Sequence, residues 1–145
     1  GKATVAERLG VRFALPEQAD GEQDMLIHAS GSSDGLALAL RLAGFEATVV
    51  EASWFGTRSV GLPLGEDFHA KRLTIRSSQV GNVAAAQRVR WDYRRRMATV
   101  MNLLDDPTLD ILIDGDSPFV ELPRIMAELS RNPRGALCHR IIYSD

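Results

Sequence analysis

The sequence has a single cysteine, Cys138, among its 145 residues. No intrachain disulfide and no cysteine-built zinc cluster can therefore form, and the reducing cytoplasm is the expected compartment. Histidines number only three, and none has a second ligand type at i+2 to i+4. His28, His69 and His139 thus read as structural histidines, because a metal site needs at least three converging ligands. Long apolar runs are missing as well. Nothing approaches the roughly 20 residues of a membrane span, and the start, Gly1 to Leu9, lacks the apolar stretch behind a basic segment that marks a secretion signal. Charge of one sign is not in excess: the net charge is −2, so no long-range field gathers nucleic acid or anionic lipid. Neither a nucleic-acid nor a membrane partner is expected. The pairs Glu66-Asp67 and Asp105-Asp106 read as solvated turn or helix-end residues without an acid/base role.

What is present suits a folded domain, with 45% hydrophobic and 25% charged residues in a chain of ordinary one-domain length. Val5, Ala6 and Leu9 have helical spacing with Gly10 as the stop, and Val11 to Leu15 is an apolar run ending at Pro16. Glu17 to Asp24 is a loop. Met25-Leu26-Ile27-His28-Ala29 then reads as a strand, Ser30 to Gly35 as a tight turn with Ser32, Ser33 or Asp34 as helix cap, and Leu36 to Gly44 as a helix stopped by Gly44. Ala47-Thr48-Val49-Val50 follows at once, so the unit is βαβ and demands a parallel sheet with a right-handed crossover. Both strands are apolar on both faces, as expected where helices cover the two sides. Ser53 to Lys71, with Gly56, Gly61, Pro63 and Gly65, reads as a connection without regular structure, and Leu73 to Arg76 as a third strand. A helix is expected over 87–104, halted by Asp105-Asp106-Pro107, and then a strand (109–113), a helix (122–129) and a strand (136–143). The expected class is α/β: a partial Rossmann-type, mainly parallel sheet with flanking helices and a C-terminal strand-helix-strand tail.

Ligands of open parallel sheets bind beyond the carboxyl ends of the strands. Here those ends are Ala29-Ser30-Gly31, Glu51-Ala52-Ser53-Trp54 and Ser77-Ser78-Gln79. Small residues let a ring or phosphate approach the backbone, and hydroxyl and amide groups serve ribose and carboxamide, which suits a dinucleotide. The plainer alternative is that serine simply ends strands at turns.

Asp24 to Gly31, the helix after it and Thr48 to Glu51 resemble the fourth strand, helix and fifth strand of the zinc-dependent medium-chain dehydrogenase/reductases, the alcohol-dehydrogenase-like family. Lys71 to Gln79 is similar to that family's sixth strand, Ala6 to Gly10 with Val11-Arg12-Phe13 resembles its helix and strand leading into the third strand, and Phe119 to Tyr143 resembles the return into its catalytic domain. The resemblance implies an oxidoreductase that interconverts a small alcohol and a carbonyl compound with NAD or NADP, zinc polarising the substrate oxygen in the parent protein. It also implies a chain truncated at its N-terminus. The glycine-rich turn, the ribose-selecting acid and the zinc ligands would lie upstream of Gly1, so no catalytic or metal-binding residue is expected in this chain and it should be inactive alone. Residues 1–106 would be part of the nucleotide-binding domain and 107–145 the tail. By the same resemblance, Ser30 and Gly31 would lie near the nicotinamide ribose, Glu51, Ala52, Ser53 and Trp54 near the ring, and Ser77, Ser78 and Gln79 near the carboxamide. Glu51 and Trp54 are bulkier than the glycine-rich turn many relatives have there. Missing first and second strands would leave sheet edges unpaired, and Leu73 to Ile75 would pair in a homo-oligomer.

Two other functional classes stay open on the residues alone. Gly31-Ser32-Ser33-Asp34-Gly35 matches G-x-S-x-G between strand and helix, which would make Ser33 a hydrolase nucleophile with Asp110 or Asp114 and His139 completing a triad. Against it, only about thirty residues precede the motif, too few for the upstream strands and oxyanion loop. A non-catalytic interaction module is the third possibility. Arg88, Arg90, Arg94, Arg95 and Arg96 around Trp91 and Tyr93 imitate a nucleic-acid stripe, but they spread round the helix and read better as a solvated surface anchored by Trp91.

Overall fold

The structure is a computed structural model that describes residues 2–132 and 136–143. Its elements are α1 (Lys2–Arg8), β1 (Gln23–His28), α2 (Ser33–Leu42), β2 (Ala43–Glu51), β3 (Thr74–Ser77), α3 (Tyr93–Leu104), β4 (Ile113–Pro118), α4 (Leu122–Arg131) and β5 (Cys138–Ile142). They form two compact units, one of Ala14–Arg88, the other of the chain before and after it.

In the central unit β1, β2 and β3 lie side by side in that order, all parallel, so the α/β class and the βαβ unit are as expected. Ser32 caps α2, its side chain accepting from the Gly35 N–H. The apolar stripe of α2, Leu36, Ala39 and Leu40, packs with Ala43, Ala47, Val49 and Leu73 into one buried cluster, with Phe55, Leu62 and Phe68 against its edge. Full burial of a leucine such as Leu40, which is 1% exposed, stabilises by about 1.5–3 kcal/mol.

Several expectations are corrected here. Gly44 does not stop α2 as a left-handed cap. Ala43 is already extended at φ −70°, ψ 137°, and Gly44 lies inside β2, where a Cβ would come within 3.1 Å of the Glu22 backbone. A side chain there would press on the Glu22 backbone, so glycine suits the close approach. Nor is β1 covered on both faces: Leu26 and His28 face the covered side, while the alternate residues Met25 and Ile27 are exposed. The connection after β2 coils over Leu64–Phe68, but the coil is broken at Glu66, which has non-helical φ −99° and ψ −127°. Val11 to Phe13 forms no strand, and Val11 and Phe13 are exposed.

In the second unit α1 ends as Gly10 predicts. Gly10 has φ +69°, and the N–H groups of Gly10 and Val11 donate to the carbonyls of Glu7 and Ala6 at 3.0 and 2.9 Å, the paired closure through a left-handed residue. The long helix starts at Tyr93, not Gln87, because the Asp92 carboxylate caps it by accepting the Arg95 N–H at 2.7 Å; Ala85–Gln87 is a separate 3-10 turn. The strand expected over 109–113 is displaced. Asp106 accepts the Thr108 N–H and starts a 3-10 turn over Pro107–Leu112, so the strand is β4, which pairs in parallel with β5. Helix α4 crosses between them and buries Ile125.

Candidate functional site

The register of the central sheet aligns the strand ends. His28 sits opposite Glu51 and Glu51 opposite Ser77, and the ladder runs one step further, with the Ala52 and Ser78 N–H groups donating to the His28 and Glu51 carbonyls, each at 2.8 Å. Beyond these ends opens a cleft of about 650 Å³ walled by Glu51, Ala52, Ser53, Trp54, Ser77, Ser78, Gln79 and Val80. Two of the three strand ends read from the sequence thus share one cavity. A smaller cavity of about 300 Å³ adjoins it, sharing Ser77, Ser78 and Gln79 and adding Arg76 and Arg88. Ser30 and Gly31 do not line the large cleft. They are tied to its wall instead, the Gly31 N–H donating to Ser53 Oγ at 2.9 Å. Trp54 is 90% exposed, so it stands at the rim.

Behind the wall is a constellation that the sequence reading did not assemble. His28 is 5% exposed. Its Nδ1 lies 2.7 Å from Glu51 Oε2 and its Nε2 lies 2.6 Å from Ser30 Oγ. The other Glu51 oxygen accepts the Ser53 N–H at 2.7 Å. Burial pushes the Glu51 carboxyl up, but the hydrogen bonds from His28 and from Ser53 outweigh it and hold the group below its ordinary value. An ionised Glu51 only accepts, so Nδ1 donates to it, and Nε2 is the nitrogen that faces the Ser30 hydroxyl. Phe55 stacks on the imidazole, centroids 6.1 Å apart. Arg58 lies over Phe55 and donates to the Gly31 carbonyl at 3.2 Å. The alternation of β1 was the available signal, since His28 shares the inward parity of Leu26.

The residues of the G-x-S-x-G reading are placed otherwise. Ser33 is the first residue of α2, His139 Nε2 is 3.0 Å from Ser117 Oγ, and Asp114 accepts the Leu137 N–H at 2.6 Å. Two of the arginines serve aromatic neighbours, the Arg95 guanidinium lying 4.3 Å from the Trp91 ring centroid and that of Arg96 5.2 Å from the Tyr93 centroid. Among the described residues no three His, Cys, Asp or Glu side chains are placed to hold a metal ion, and no helix is long and apolar enough to cross a membrane.

No family model and no curated protein matches the chain; solved structures do. An alcohol dehydrogenase from Thermotoga maritima superposes with a TM-score of 0.68 at 19% identity, over 99% of this chain and 40% of that one. L-idonate 5-dehydrogenase from Escherichia coli gives 0.60 at 16% identity over 88% and 33%, and 2R,3R-butanediol dehydrogenase from Bacillus subtilis 0.59 at 13% over 99% and 34%. The likeness establishes the fold, a partial Rossmann-like α/β arrangement. The chain spans from a third to two fifths of the length of these dehydrogenases.

Proposed function

We propose that this chain is the C-terminal, cofactor-binding part of an NAD(P)-dependent alcohol/carbonyl oxidoreductase of the zinc-dependent medium-chain type, and that the large cleft receives the nicotinamide half of the cofactor. The observation that carries the reading is the row of strand ends, in which Glu51–Trp54 and Ser77–Gln79 wall one cavity on a fold shared with dehydrogenases.

The residues fit the cofactor. Ala52, Ser77 and Ser78 are small enough for a ring to reach the backbone, Ser77, Ser78 and Gln79 offer donors and acceptors to a carboxamide, and Ser30 and Gly31 are tied in beside them for the ribose. When bound, the nicotinamide accepts or donates a hydride. The protein's own part is to bind and orient it. Glu51 adds a fixed negative charge in the wall, held ionised by His28 and Ser53, which favours the cationic oxidised ring over the neutral reduced one. Zinc does not fit, because the described residues converge no ligand set; zinc and the glycine-rich phosphate turn belong to other parts of the parent protein in this reading. Residues 1–106 are the nucleotide-binding portion and 107–145 the return, the substrate is a small alcohol or carbonyl compound, and subunits pair through the β3 edge in the cytoplasm.

Saturation-transfer NMR with NADH and NADPH tests the cleft. Transfer to the nicotinamide protons is expected for the 145-residue chain and should be abolished in Ala52→Trp, which puts an indole into the cleft wall where the ring would lie. Absence of transfer to those protons at millimolar cofactor, or equal transfer in the variant, refutes the assignment.

A further inference from the structure

We propose that Ser30 is an activated nucleophile, and that Ser30, His28 and Glu51 form a second chemical site that takes acyl groups from small activated esters. The site shares Glu51 with the wall of the cofactor cleft, and Ser30 with the ribose position beside it, but does not rest on the cofactor reading. A serine nucleophile is recognised by geometry: its hydroxyl within reach of a base, and the base oriented by a third group. Here Ser30 Oγ is 2.6 Å from Nε2 of His28, and the opposite ring nitrogen is 2.7 Å from Glu51. These are the two nitrogens, in the two roles, that serine hydrolases of unrelated folds use, with either Asp or Glu as the third member.

Burial divides the three residues as the chemistry requires. His28 is buried and Ser30 is exposed, so the base is shielded while the hydroxyl is open to an incoming electrophile. Nothing competes for Nε2 among the described hydrogen bonds, and Glu51 is itself clamped by the Ser53 N–H. Phe55 stacked on the ring limits its rotation. The charged groups around the imidazole are Glu51 and, beyond Phe55, Arg58. Gly35 leaves the space the serine occupies, since a Cβ there would stand 2.4 Å from Ser30 Oγ. Ser33, the residue that the G-x-S-x-G motif selects, has no such base in the described hydrogen bonds.

In the step itself Ser30 Oγ attacks the ester carbonyl and its proton passes to His28 Nε2, the imidazolium being stabilised by Glu51. The C–O bond to the leaving group then breaks, the leaving oxygen takes the proton from His28, and an acyl-Ser30 ester remains. Water, deprotonated by His28 in turn, returns the serine and releases the carboxylic acid. Ser30 and His28 touch the reacting atoms; Glu51 is a positioning residue.

The test is a fluorophosphonate probe on the full chain, which forms a P–O bond to serine as fluoride leaves. One adduct is expected, on Ser30 by tandem mass spectrometry, and unchanged in Ser33→Ala. Ser30→Ala should abolish it, and His28→Gln should slow it by about 10²-fold or more, the usual worth of a general base. In the wild type the rate should level off with rising pH rather than climb in proportion to hydroxide. An adduct on Ser33 or elsewhere, no adduct under conditions that fully label a known serine hydrolase, or an undiminished rate in folded His28→Gln overturns the proposal. Should His28→Gln fail to fold by circular dichroism, the wild-type profile decides: a rate that only climbs in proportion to hydroxide overturns it as well.

Discussion

Replacing Gly35 with alanine probes the packing of α2 on the strand end by one methyl group. The added Cβ would sit 2.4 Å from Ser30 Oγ and 3.0 Å from His28 Nε2, both inside van der Waals contact. The two neighbours differ in their freedom. Ser30 turns on one torsion and can swing away, whereas His28 is held by Glu51 and stacked by Phe55. The swing removes the Ser30–His28 hydrogen bond and leaves Nε2 buried without a partner, which costs about 1–3 kcal/mol. Alanine in a helix returns about 0.5–1 kcal/mol relative to glycine, less in the first turn, where Gly35 lies. The net expectation is a loss of about 0.5–2 kcal/mol in urea unfolding, with fluorophosphonate labelling of Ser30 reduced at least tenfold. Were Gly35→Ala to raise stability by about the helix-propensity gain and keep the wild-type labelling rate, the close approach of Gly35 to the Ser30–His28 pair would be refuted.

Leu40→Ala empties the centre of the cluster between α2 and the sheet and should cost about 2–5 kcal/mol, a large share of the 5–15 kcal/mol that holds an ordinary domain; a change under about 1 kcal/mol in chemical denaturation would mean that this core is not the one that folds the unit. Glu51 gives a pH signature. Its carboxyl is held below its ordinary 4.5 in the folded chain, so it contributes stability that is fully present above that value and is lost as pH falls through the lower, folded one. Glu51→Gln should therefore be less stable near neutrality and show a flatter decline as pH falls below the ordinary 4.5; equal acid slopes for variant and wild type would remove the ionised Glu51 from the account.

The parallel βαβ core could be read from the sequence because local signals agreed. An apolar run, a serine cap and an amphipathic stripe followed each other without a break, and the structure keeps all three in β1, α2 and β2. Where signals competed, capping won over periodicity. The pattern beginning at Gln87 is helical by its apolar spacing, yet Asp92 accepts the Arg95 N–H and moves the start to Tyr93, since a good cap satisfies donors that the earlier residues would leave open. Asp106 acts in the same way. By accepting from Thr108 it turns 107–112 into a 3-10 stretch and delays the strand to Ile113. Gly44 misled for another reason: its lack of a side chain answers a tertiary contact with Glu22, which no local pattern shows.

The site was half readable on the same grounds. Strand ends were visible as small and polar residues after apolar runs, which is why Glu51–Trp54 and Ser77–Gln79 could be named before the cleft was seen. The His28 line could not be named, because it depends on register. Ser30 is two residues from His28 in sequence, but Glu51 is 23 away, and only the pairing of His28 with Glu51 across β1 and β2 places imidazole and carboxylate together. Alternation in β1 then decides the face: a slip by one residue would turn His28 outward with Met25 and Ile27. A motif search ranks Ser33 above Ser30 because it scores spacing along the chain, whereas activation of a hydroxyl depends on the base across the strand end. If labelling falls on Ser30, parity and register locate the reactive group where the five-residue pattern does not; if it falls on Ser33, the hydrogen-bonded line through His28 is a structural tie that closes the ends of two strands.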